Sequence, residues 1–518
     1  MEKTTTVLLV LDGIGISDNA EDNAFYEART PVLNRLMRGC PYVRGLSAGM
    51  AVGLPNGQAG NAEAGFMNMG AGRIIYQELT RINKEISRGT FFNNSVLLET
   101  MNHCRRNDSS LHLMGLLSDG GVHSHVDHLY ALLEMAKRNG LNRVYVHCFT
   151  DGRDTAPDEG LGFIERLQTR MRELGTGEVA TLSGRFYAMD RDNNFDRVKQ
   201  AYLAMTMGEG VKAANAAEAV QNAYDKGETD EFISPTVIVN GGVPVGTVND
   251  DDAVIFFNFR SDRARELTRA FCDEEFRMFK RDSKPDIRFV CFSDYDPSVE
   301  NKYVAFEGQI ISNTFGEYLS DLGKTQLRIS ESENQANVTR FFDCGTIEPH
   351  EGEDRIILRS VRNIVSYTEK PEMNTALVCE KLTESISSGK YDFILCNMSN
   401  ADMTGHTADM DSSRKACEGL DECVGMICDS VTDNGGVLFI CSSHGNVECL
   451  RQEGKKKPAT YHTNNPVPFI LFNYDNGVRL REGGCLADIV PTLLEVMGLP
   501  QPKEMTGRTL LMRDGGLL

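Results

Sequence analysis

The sequence contains no C-x-x-C pair, although it has 14 cysteines. The zinc-ribbon and thioredoxin-type motifs, which depend on such pairs, are therefore absent. A disulfide framework is not expected either, because such frameworks belong to short secreted chains. We expect reduced thiols that are mostly buried, as is usual for free cysteine.

The sequence also lacks a long apolar run and a long basic run. No stretch approaches the roughly 20 apolar residues of a transmembrane helix. The first residues, Met1–Lys3, lead into an apolar strand without the apolar core and cleavage site of a signal peptide. The formal net charge is −20, and the basic run Lys455–Lys457 is short. We therefore expect a cytoplasmic protein that binds neither nucleic acid nor membrane, although a local arginine cluster could still hold a small anion.

The 518 residues are too many for one compact core, so two domains are expected. Three mostly apolar runs predict strands buried on both faces, and each run ends in polar residues. In a doubly wound α/β sheet the ligand crevice lies at the carboxyl ends of the strands, so these ends are expected to converge. The three runs are Thr5–Leu11, Phe393–Cys396 and Val437–Cys441.

The middle of the chain has a different character. Strand-like and helical runs alternate between residues 77 and 306, for example Val144–Val146 and Gly160–Leu174. This pattern predicts a second α/β domain inserted into the first. The first domain is then discontinuous, with residues 1–76 and 307–518, and the inserted domain spans residues 77–306.

A candidate metal site follows the second apolar run. Asp402 and His406 are four residues apart and share a face if the segment is helical, and His462 supplies a third ligand. A carboxylate combined with imidazoles suits Mn²⁺ or Zn²⁺. The same spacing also occurs among surface and capping residues, so the spacing alone leaves both interpretations open.

Two further patterns concern the middle of the chain. His123, His125 and His128 lie close together, but no cysteine or carboxylate completes a metal geometry, so we expect one functional and two structural histidines. Several arginines sit beside Asp or Gly in turn-like settings. Each could be a surface ion pair, but together they favour an anion cradle, because arginine binds phosphate and carboxylate through two parallel hydrogen bonds.

A nucleotide site is not supported. The segment Gly323–Thr325 is similar to the end of a P-loop, but Tyr318 stands where the first glycine of that motif belongs. We therefore expect no nucleotide cofactor.

Several long motifs resemble those of the cofactor-independent phosphoglycerate mutases, within the alkaline-phosphatase superfamily. The resemblance covers nearly the whole chain and includes Leu11–Gly13, Leu54–Gly65, Gly70–Arg73, Ser118–His125, Asp151–Thr155, Ser183–Asp192, Asn258–Arg265, Gln326–Ile329 and Asn464–Phe469. It implies a monomeric glycolytic isomerase that interconverts 3- and 2-phosphoglycerate without bisphosphoglycerate. In that family, a phosphatase-like domain holds two Mn²⁺ ions and a nucleophilic serine, and an inserted transferase domain binds the substrate.

The resemblance also implies the functional residues. The first metal would be bound by Asp402, His406 and His462, all of which are present. The cradle for the small phosphorylated anion is complete as well, with His123, Arg153, Asp154, Arg185, Arg191, Arg260 and Arg263.

The phosphotransfer residues, in contrast, depart from the family pattern. Ala62 replaces the serine, and Ser443 replaces an aspartate of the second metal site, where Asp12 and His444 remain. Asn334 replaces the lysine that neutralises the phosphoryl group. Two smaller departures are Phe66 and Asn337, each at a position where histidine is usual.

These losses concern one functional unit and predict a pseudoenzyme. We expect one Mn²⁺ ion, an intact anion cradle and a disabled phosphoserine route, with mutase activity lost or severely reduced. Three alternatives stay open. They are a single-metal phosphohydrolase or transferase acting on a phosphorylated or phosphonate acid, an active mutase with a compensating nucleophile, and a non-catalytic regulatory protein.

Overall fold

The structure is a computed structural model that describes residues 4–362, 364–452, 457–475 and 477–513. Lys455 and Lys456 of the basic run lie outside the described residues, as do Met1–Lys3. The chain forms two compact units. Unit 1 combines Met1–Gln77 with Ile310–Leu518, and unit 2 is Glu78–Gln309.

The strands are numbered in chain order. They are β1 (Thr6–Leu11), β2 (Tyr42–Gly45), β3 (Leu111–Leu116), β4 (Val144–Thr150), β5 (Glu178–Gly184), β6 (Val211–Ala213), β7 (Thr236–Asn240), β8 (Val243–Pro244), β9 (Ala253–Phe256), β10 (Arg288–Cys291), β11 (Tyr303–Val304), β12 (Gln326–Glu331), β13 (Glu353–Leu358), β14 (Phe393–Met398), β15 (Val437–Cys441), β16 (Val467–Phe472), β17 (Val478–Leu480) and β18 (Leu511–Arg513).

The α-helices are numbered in the same way. They are α1 (Ala24–Glu27), α2 (Pro31–Gly39), α3 (Ala62–Ala71), α4 (Glu78–Arg88), α5 (Ser95–Asn107), α6 (Val126–Arg138), α7 (Gly160–Leu174), α8 (Arg185–Ala188), α9 (Phe195–Thr206), α10 (Ala216–Asp225), α11 (Arg265–Cys272), α12 (Phe315–Asp321), α13 (Thr375–Ser387), α14 (Asn400–Gly405), α15 (Met410–Asp433) and α16 (Ile489–Val496).

Unit 1 is built on a sheet with the strand order β13-β12-β14-β1-β15-β16-β2. The strands from β13 to β15 run parallel, and β16 and β2 are antiparallel to their neighbours. Alternate residues of β1 enter two apolar cores, one on each face of the sheet. Val7 and Leu9 pack on one face, and Leu8 and Val10 pack on the other. A strand buried on both faces reads as a continuous apolar run, which is why its sequence predicted it.

The register of this sheet brings three strand ends together. Leu11 of β1 is level with Met398 of β14, and Val10 is level with Cys441 of β15. The polar residues that follow these strands therefore lie side by side at one edge of the sheet. The convergence expected from the sequence is confirmed.

Unit 2 contains a second sheet with the order β11-β10-β9-β3-β4-β5-β7-β6, and β8 pairs with β7. The strands from β11 to β5 are parallel, and β7 is antiparallel to β5. Helices cover it, and their apolar residues form two cores. Both units thus have the α/β architecture that the sequence predicted.

The cysteines behave as expected. All of them are free thiols, and most are buried. Among the described residues, no helix combines the length and apolar character needed to cross a membrane.

Candidate functional site

Asp402, His406 and His462 lie together at the carboxyl edge of the unit 1 sheet. Asp402 is in the first turn of α14, directly after β14, and His406 caps the end of the same helix. The two carboxylate oxygens of Asp402 lie 3.4 Å from Nε2 of His406 and 3.4 Å from Nε2 of His462. The two Nε2 atoms are 3.2 Å apart. The three side chains whose spacing suggested a metal site therefore point at one another.

Backbone carbonyl groups orient both imidazoles. Nδ1–H of His406 donates to the carbonyl oxygen of Thr460 at 2.9 Å, and Nδ1–H of His462 donates to that of Gly60 at 2.8 Å. Because a carbonyl oxygen only accepts, each Nδ1 carries hydrogen and each Nε2 is directed to the centre of the group. This support is typical of histidines that bind metal ions.

The donor atoms of this group fit a divalent cation. One ligand atom from each of Asp402, His406 and His462 lies within 4.8 Å of the others. Asn446 donates to Oδ1 of Asp402 at 2.8 Å and holds the carboxylate in place. One carboxylate and two imidazoles form a donor set suited to Mn²⁺ or Zn²⁺.

Electrostatics keep Asp402 ionised. Burial opposes its ionisation, but His444, His406 and His462 outweigh burial and hold its pKa well below the usual range. In turn, the hydrogen bond with Asp402 raises the pKa of His406 to about 9. Asp402 is therefore ionised, and a bound cation would replace the proton that this carboxylate holds on His406.

Asp12 lies at the neighbouring strand end, but other side chains occupy its carboxylate. The residue is only 1% exposed. Ser443 donates from Oγ to Oδ1 of Asp12. Asn397 and Asn337 donate from their amide nitrogens to Oδ2, at 2.7 and 3.2 Å. Burial raises the pKa of Asp12 to about 7, although the hydrogen bonds from Ser443 and Asn397 work in the opposite direction.

The second metal position implied by the resemblance does not fit a metal ion. Ala62 has no donor atom, and the hydroxyl of Ser443 is engaged with Asp12. His444 is fully buried, and its Nε2 has no hydrogen-bond partner. One carboxylate, which already accepts three hydrogen bonds, and one imidazole fall short of the three protein ligands of a catalytic zinc site.

The loop at residues 60–65 reaches this site. His462 binds the carbonyl group of Gly60, and a Cβ at Gly60 would lie 2.1 Å from the carbonyl oxygen of Ser47. Only glycine therefore permits this close approach. Ala62 follows as the first residue of α3, whose N-cap is Asn61. Its methyl group lies where the resemblance places the nucleophile.

Asn334 and Asn337 come from one segment beyond β12. Asn334 ends a short 3₁₀ helix, and its amide nitrogen donates to Oγ of Ser399, the N-cap residue of α14. Asn337 begins a π-helix at Asn337–Phe341. π-Helical turns occur frequently at functional sites. Asn334 and Asn337 therefore both contact the edge of the sheet that carries Asp12 and α14.

A second carboxylate–histidine group, Asp343, His350 and Glu353, lies elsewhere in unit 1. Arginines already neutralise its carboxylates. Arg328, which is fully buried, lies 3.4 Å from Asp343, and Arg355 lies 2.5 Å from Glu353. This group is better described as a buried ion-pair network than as a metal site.

In unit 2, Asp262 connects three residues of the predicted anion cradle. Its carboxylate lies 3.5 Å from Nδ1 of His123, 3.0 Å from Nε of Arg260 and 3.3 Å from Nη1 of Arg191. Burial, followed by the charge of Arg185, lowers the pKa of His123 to about 4. His123 is therefore neutral at pH 7 and can donate or accept a hydrogen bond.

Arg185 is the buried member of this cluster. Its side chain is 3% exposed, and its Nη1 donates to Asp151 and Asp154 at 2.6 Å each. Its Nε has no hydrogen-bond partner. Arg185 is thus held rigidly while one donor remains unused.

The remaining arginines share the same space. Burial lowers the pKa of Arg263, and the charges of Arg191, Arg185 and Arg153 lower it further. A bound anion would relieve this repulsion between the guanidinium groups. Ion pairs join His123, Arg191 and Arg260 through Asp262, and they join Arg185 to Asp154.

The three clustered histidines differ in their surroundings. His125 is the N-cap of α6, and its Nδ1 accepts from the backbone N–H of Asp127. His128 is buried, and its Nε2 lies 2.9 Å from Oδ1 of Asn83. These contacts are structural, and His123 alone lies in the cradle.

Sequence reasoning missed Asn397, Asn446 and Asp262. Asn397 lies at the end of an apolar run and Asp262 lies within the motif Asn258–Arg265, so both were visible without their role being apparent. Their partners lie far away along the chain. For example, 385 residues separate Asn397 from Asp12.

Comparison with known proteins assigns the family. Residues 82–297 match the sequence profile described as the BPG-independent PGAM N-terminus. A 2,3-bisphosphoglycerate-independent phosphoglycerate mutase of Lachnoclostridium phytofermentans is 54% identical over 514 residues, covering 99% of this chain and 100% of that protein. The chain belongs to the 2,3-bisphosphoglycerate-independent phosphoglycerate mutase family.

Two further members support this assignment. The mutase of the same name from Clostridium perfringens strain SM101 is 50% identical over 512 residues, covering 99% of this chain and 100% of that protein. A crystal structure of Leishmania mexicana phosphoglycerate mutase at low cobalt concentration is 30% identical, with a TM-score of 0.59, and the match covers 99% of this chain and 98% of that chain. The family resemblance inferred from the motifs is confirmed.

Proposed function

We propose that this chain is a phosphoglycerate mutase homologue that binds its ligand but does not use the phosphoserine route. In this proposal, unit 2 binds a phosphoglycerate-like anion, and Asp402, His406 and His462 hold one divalent cation, with Mn²⁺ the first choice. We expect a monomer that needs neither bisphosphoglycerate nor a nucleotide.

The observation that carries this proposal is the methyl group of Ala62 at the start of α3. The loop before it contacts His462 through Gly60, so position 62 lies beside the proposed metal site. A methyl group has no lone pair and can neither attack phosphorus nor bind a metal. Losing a covalent nucleophile lowers kcat by ~10⁶ in enzymes where this has been measured.

The neighbouring substitutions support the same conclusion. Phosphoryl transfer depends mainly on positioning and on stabilising the charge of the transferred group. Asn334 offers an amide donor instead of the positive charge of a lysine, and that amide is bonded to Ser399. A cation bound at Asp402 would polarise a phosphoryl oxygen as a Lewis acid, but the methyl group of Ala62 could not accept the phosphoryl group.

The anion cradle supports retained binding. Arg191 and Arg260 share the carboxylate of Asp262, and Arg185 is held by two aspartates. Planar guanidinium groups bind phosphate and carboxylate with two hydrogen bonds each. A phosphorylated hydroxy acid carries both groups and therefore matches this cluster.

A coupled assay tests the proposal. It follows 3-phosphoglycerate to 2-phosphoglycerate with Mn²⁺ and without bisphosphoglycerate. The unmodified chain is compared with the variant Ala62→Ser, Asn334→Lys, Ser443→Asp, to which Asn337→His is added in a second version. Adding Arg260→Ala to the active version is the control, because recovered turnover should require the cradle.

We expect no turnover by the unmodified chain and measurable turnover by a restored variant. Turnover by the unmodified chain would mean that another residue replaces the serine, and the proposal would be wrong. Free phosphate is measured in the same reactions. Its metal-dependent release by the unmodified chain, abolished by His462→Ala, would instead identify a single-metal phosphohydrolase.

A further inference from the structure

The carboxylate of Asp12 is enclosed by three side-chain donors, Ser443, Asn337 and Asn397, which we call the Asp12 cage. Both carboxylate oxygens take part: Oδ1 accepts from Ser443, and Oδ2 accepts from the two asparagines. Asp12 is 1% exposed, and the three donors are buried as well.

The orientation of the two amide groups follows from their other contacts. The nitrogen Nδ2 of Asn397 also lies 3.3 Å from the carbonyl oxygen of Val10, which can only accept a hydrogen bond. This nitrogen therefore faces Val10 and Asp12, and the amide oxygen of Asn397 faces away from the carboxylate. Nδ2 of Asn337 lies 3.4 Å from the amide oxygen of Asn397. Because this oxygen only accepts hydrogen bonds, the atom of Asn337 that faces it must be the amide nitrogen. Both amides thus direct N–H groups at Asp12.

The side chains around Asp12 present hydrogen-bond donors, whereas a metal site presents lone pairs. A divalent cation is bound by oxygen, sulfur or ring-nitrogen lone pairs, and an amide N–H group offers none. A buried carboxylate must be compensated by a cation or by hydrogen bonds. At Asp12 three hydrogen bonds supply part of this compensation without a cation. Of the implied ligands, only His444 keeps an unused ring nitrogen.

We propose that Ser443, Asn337 and Asn397 replace the second cation of this site and close the Asp12 position to metal ions. The chain then binds metal only at Asp402, His406 and His462. Asn337 and Asn397 thereby gain a positioning role that the proposed function does not assign. Only the expected binding of one ion at Asp402, His406 and His462 rests on the proposed function.

Counting bound Mn²⁺ by equilibrium dialysis and metal analysis tests the cage directly. The unmodified chain should bind about one ion, and His462→Ala should abolish that binding. The variant Asn337→His, Ser443→Asp removes two of the cage donors and adds a carboxylate, so it should bind about two ions. Ala62→Ser alone is the matched control. It adds a ligand atom but leaves the cage intact, so the count should stay at about one.

Three results would overturn the cage. The first is binding of two ions by the unmodified chain. The second is binding of one ion that survives His462→Ala and is lost in Asp12→Ala, and the third is a folded Asn337→His, Ser443→Asp variant that gains no ion. If that variant does not fold, the counts for the unmodified chain and the Asp12→Ala and His462→Ala variants decide the question.

These counts separate the cage from the proposed function. No ion in the unmodified chain and one ion in the cage variant would uphold the cage and refute the one-metal site. Mutase turnover by an unmodified chain with a single ion would refute the proposed function and leave the cage standing.

Discussion

Replacing Arg185 with Met should destabilise unit 2 strongly. The substitution keeps the volume but removes the guanidinium group that bridges Asp151 and Asp154 at 2.6 Å. The side chain of Arg185 is 3% exposed and that of Asp151 is 1% exposed, so water cannot replace the lost interaction. Breaking a buried ion pair by removing one partner costs about 3–5 kcal/mol.

The lower end of that range applies here because Asp151 keeps other donors. Ser118 donates to it at 2.6 Å, and the backbone N–H groups of Arg153 and Asp154 donate at 3.2 and 3.0 Å. We therefore expect a loss of about 3 kcal/mol. For a unit the size of Glu78–Gln309, this corresponds to a decrease in Tm of roughly 6–12 °C.

Arg191→Met is the matched control. Arg191 pairs with Asp262 at 3.3 Å, but their side chains are 47% and 30% exposed. Exposed pairs contribute about 0–1 kcal/mol, so this substitution should lower Tm by no more than roughly 4 °C. Differential scanning calorimetry of the full chain measures both changes. A decrease for Arg185→Met no larger than that for Arg191→Met would refute the assignment of Arg185 as a buried bridge.

Two further predictions concern unit 1. A Cβ at Gly65 in α3 would lie 2.8 Å from Cβ of Ser443, so Gly65→Ala should destabilise the protein by about 1–3 kcal/mol. A Cβ at Gly419 in α15 would meet no atom within 4 Å, so Gly419→Ala should stabilise the protein by about 1 kcal/mol. Thermal unfolding in which both substitutions shift Tm in the same direction would contradict this contrast. The carboxylate of Asp343, 3.5 Å from Nε2 of His350, raises the pKa of this histidine despite opposing burial. The stabilising contribution of His350 is therefore complete below about pH 6.5 and is lost as the pH rises through the raised value. His350→Gln should remove this part of the pH profile of Tm, and an unchanged profile would contradict the assignment.

Strands whose burial is purely apolar could be predicted from the sequence. The run Thr5–Leu11 differs by one residue from β1, and Val437–Cys441 coincides with β15. The predicted strand Val144–Val146, in contrast, extends to Thr150 as β4. His147 interrupts the apolar run, yet it is buried and bonded to His112 at 2.9 Å. A buried histidine is satisfied by a neighbouring strand that is distant in sequence, so local pattern cannot reveal it.

The candidate site divides in the same way. Asp402 and His406 could be found because their ligand geometry arises within one helix and its cap. The Asp12 cage could not be found, since Asn337 is 325 residues from Asp12. The resemblance identified position 337 as unusual, but only the fold shows that its amide reaches the carboxylate.

The substitutions around Asp12 are physically coupled. A second cation would compensate the buried carboxylate of Asp12, and without that cation an unpaired carboxylate would be strongly destabilising. Ser443 and Asn337 supply donors at two of the positions where the chain departs from the family pattern. Because both donors act on one carboxylate, their removal should be non-additive, which distinguishes a cage from two unrelated polar contacts.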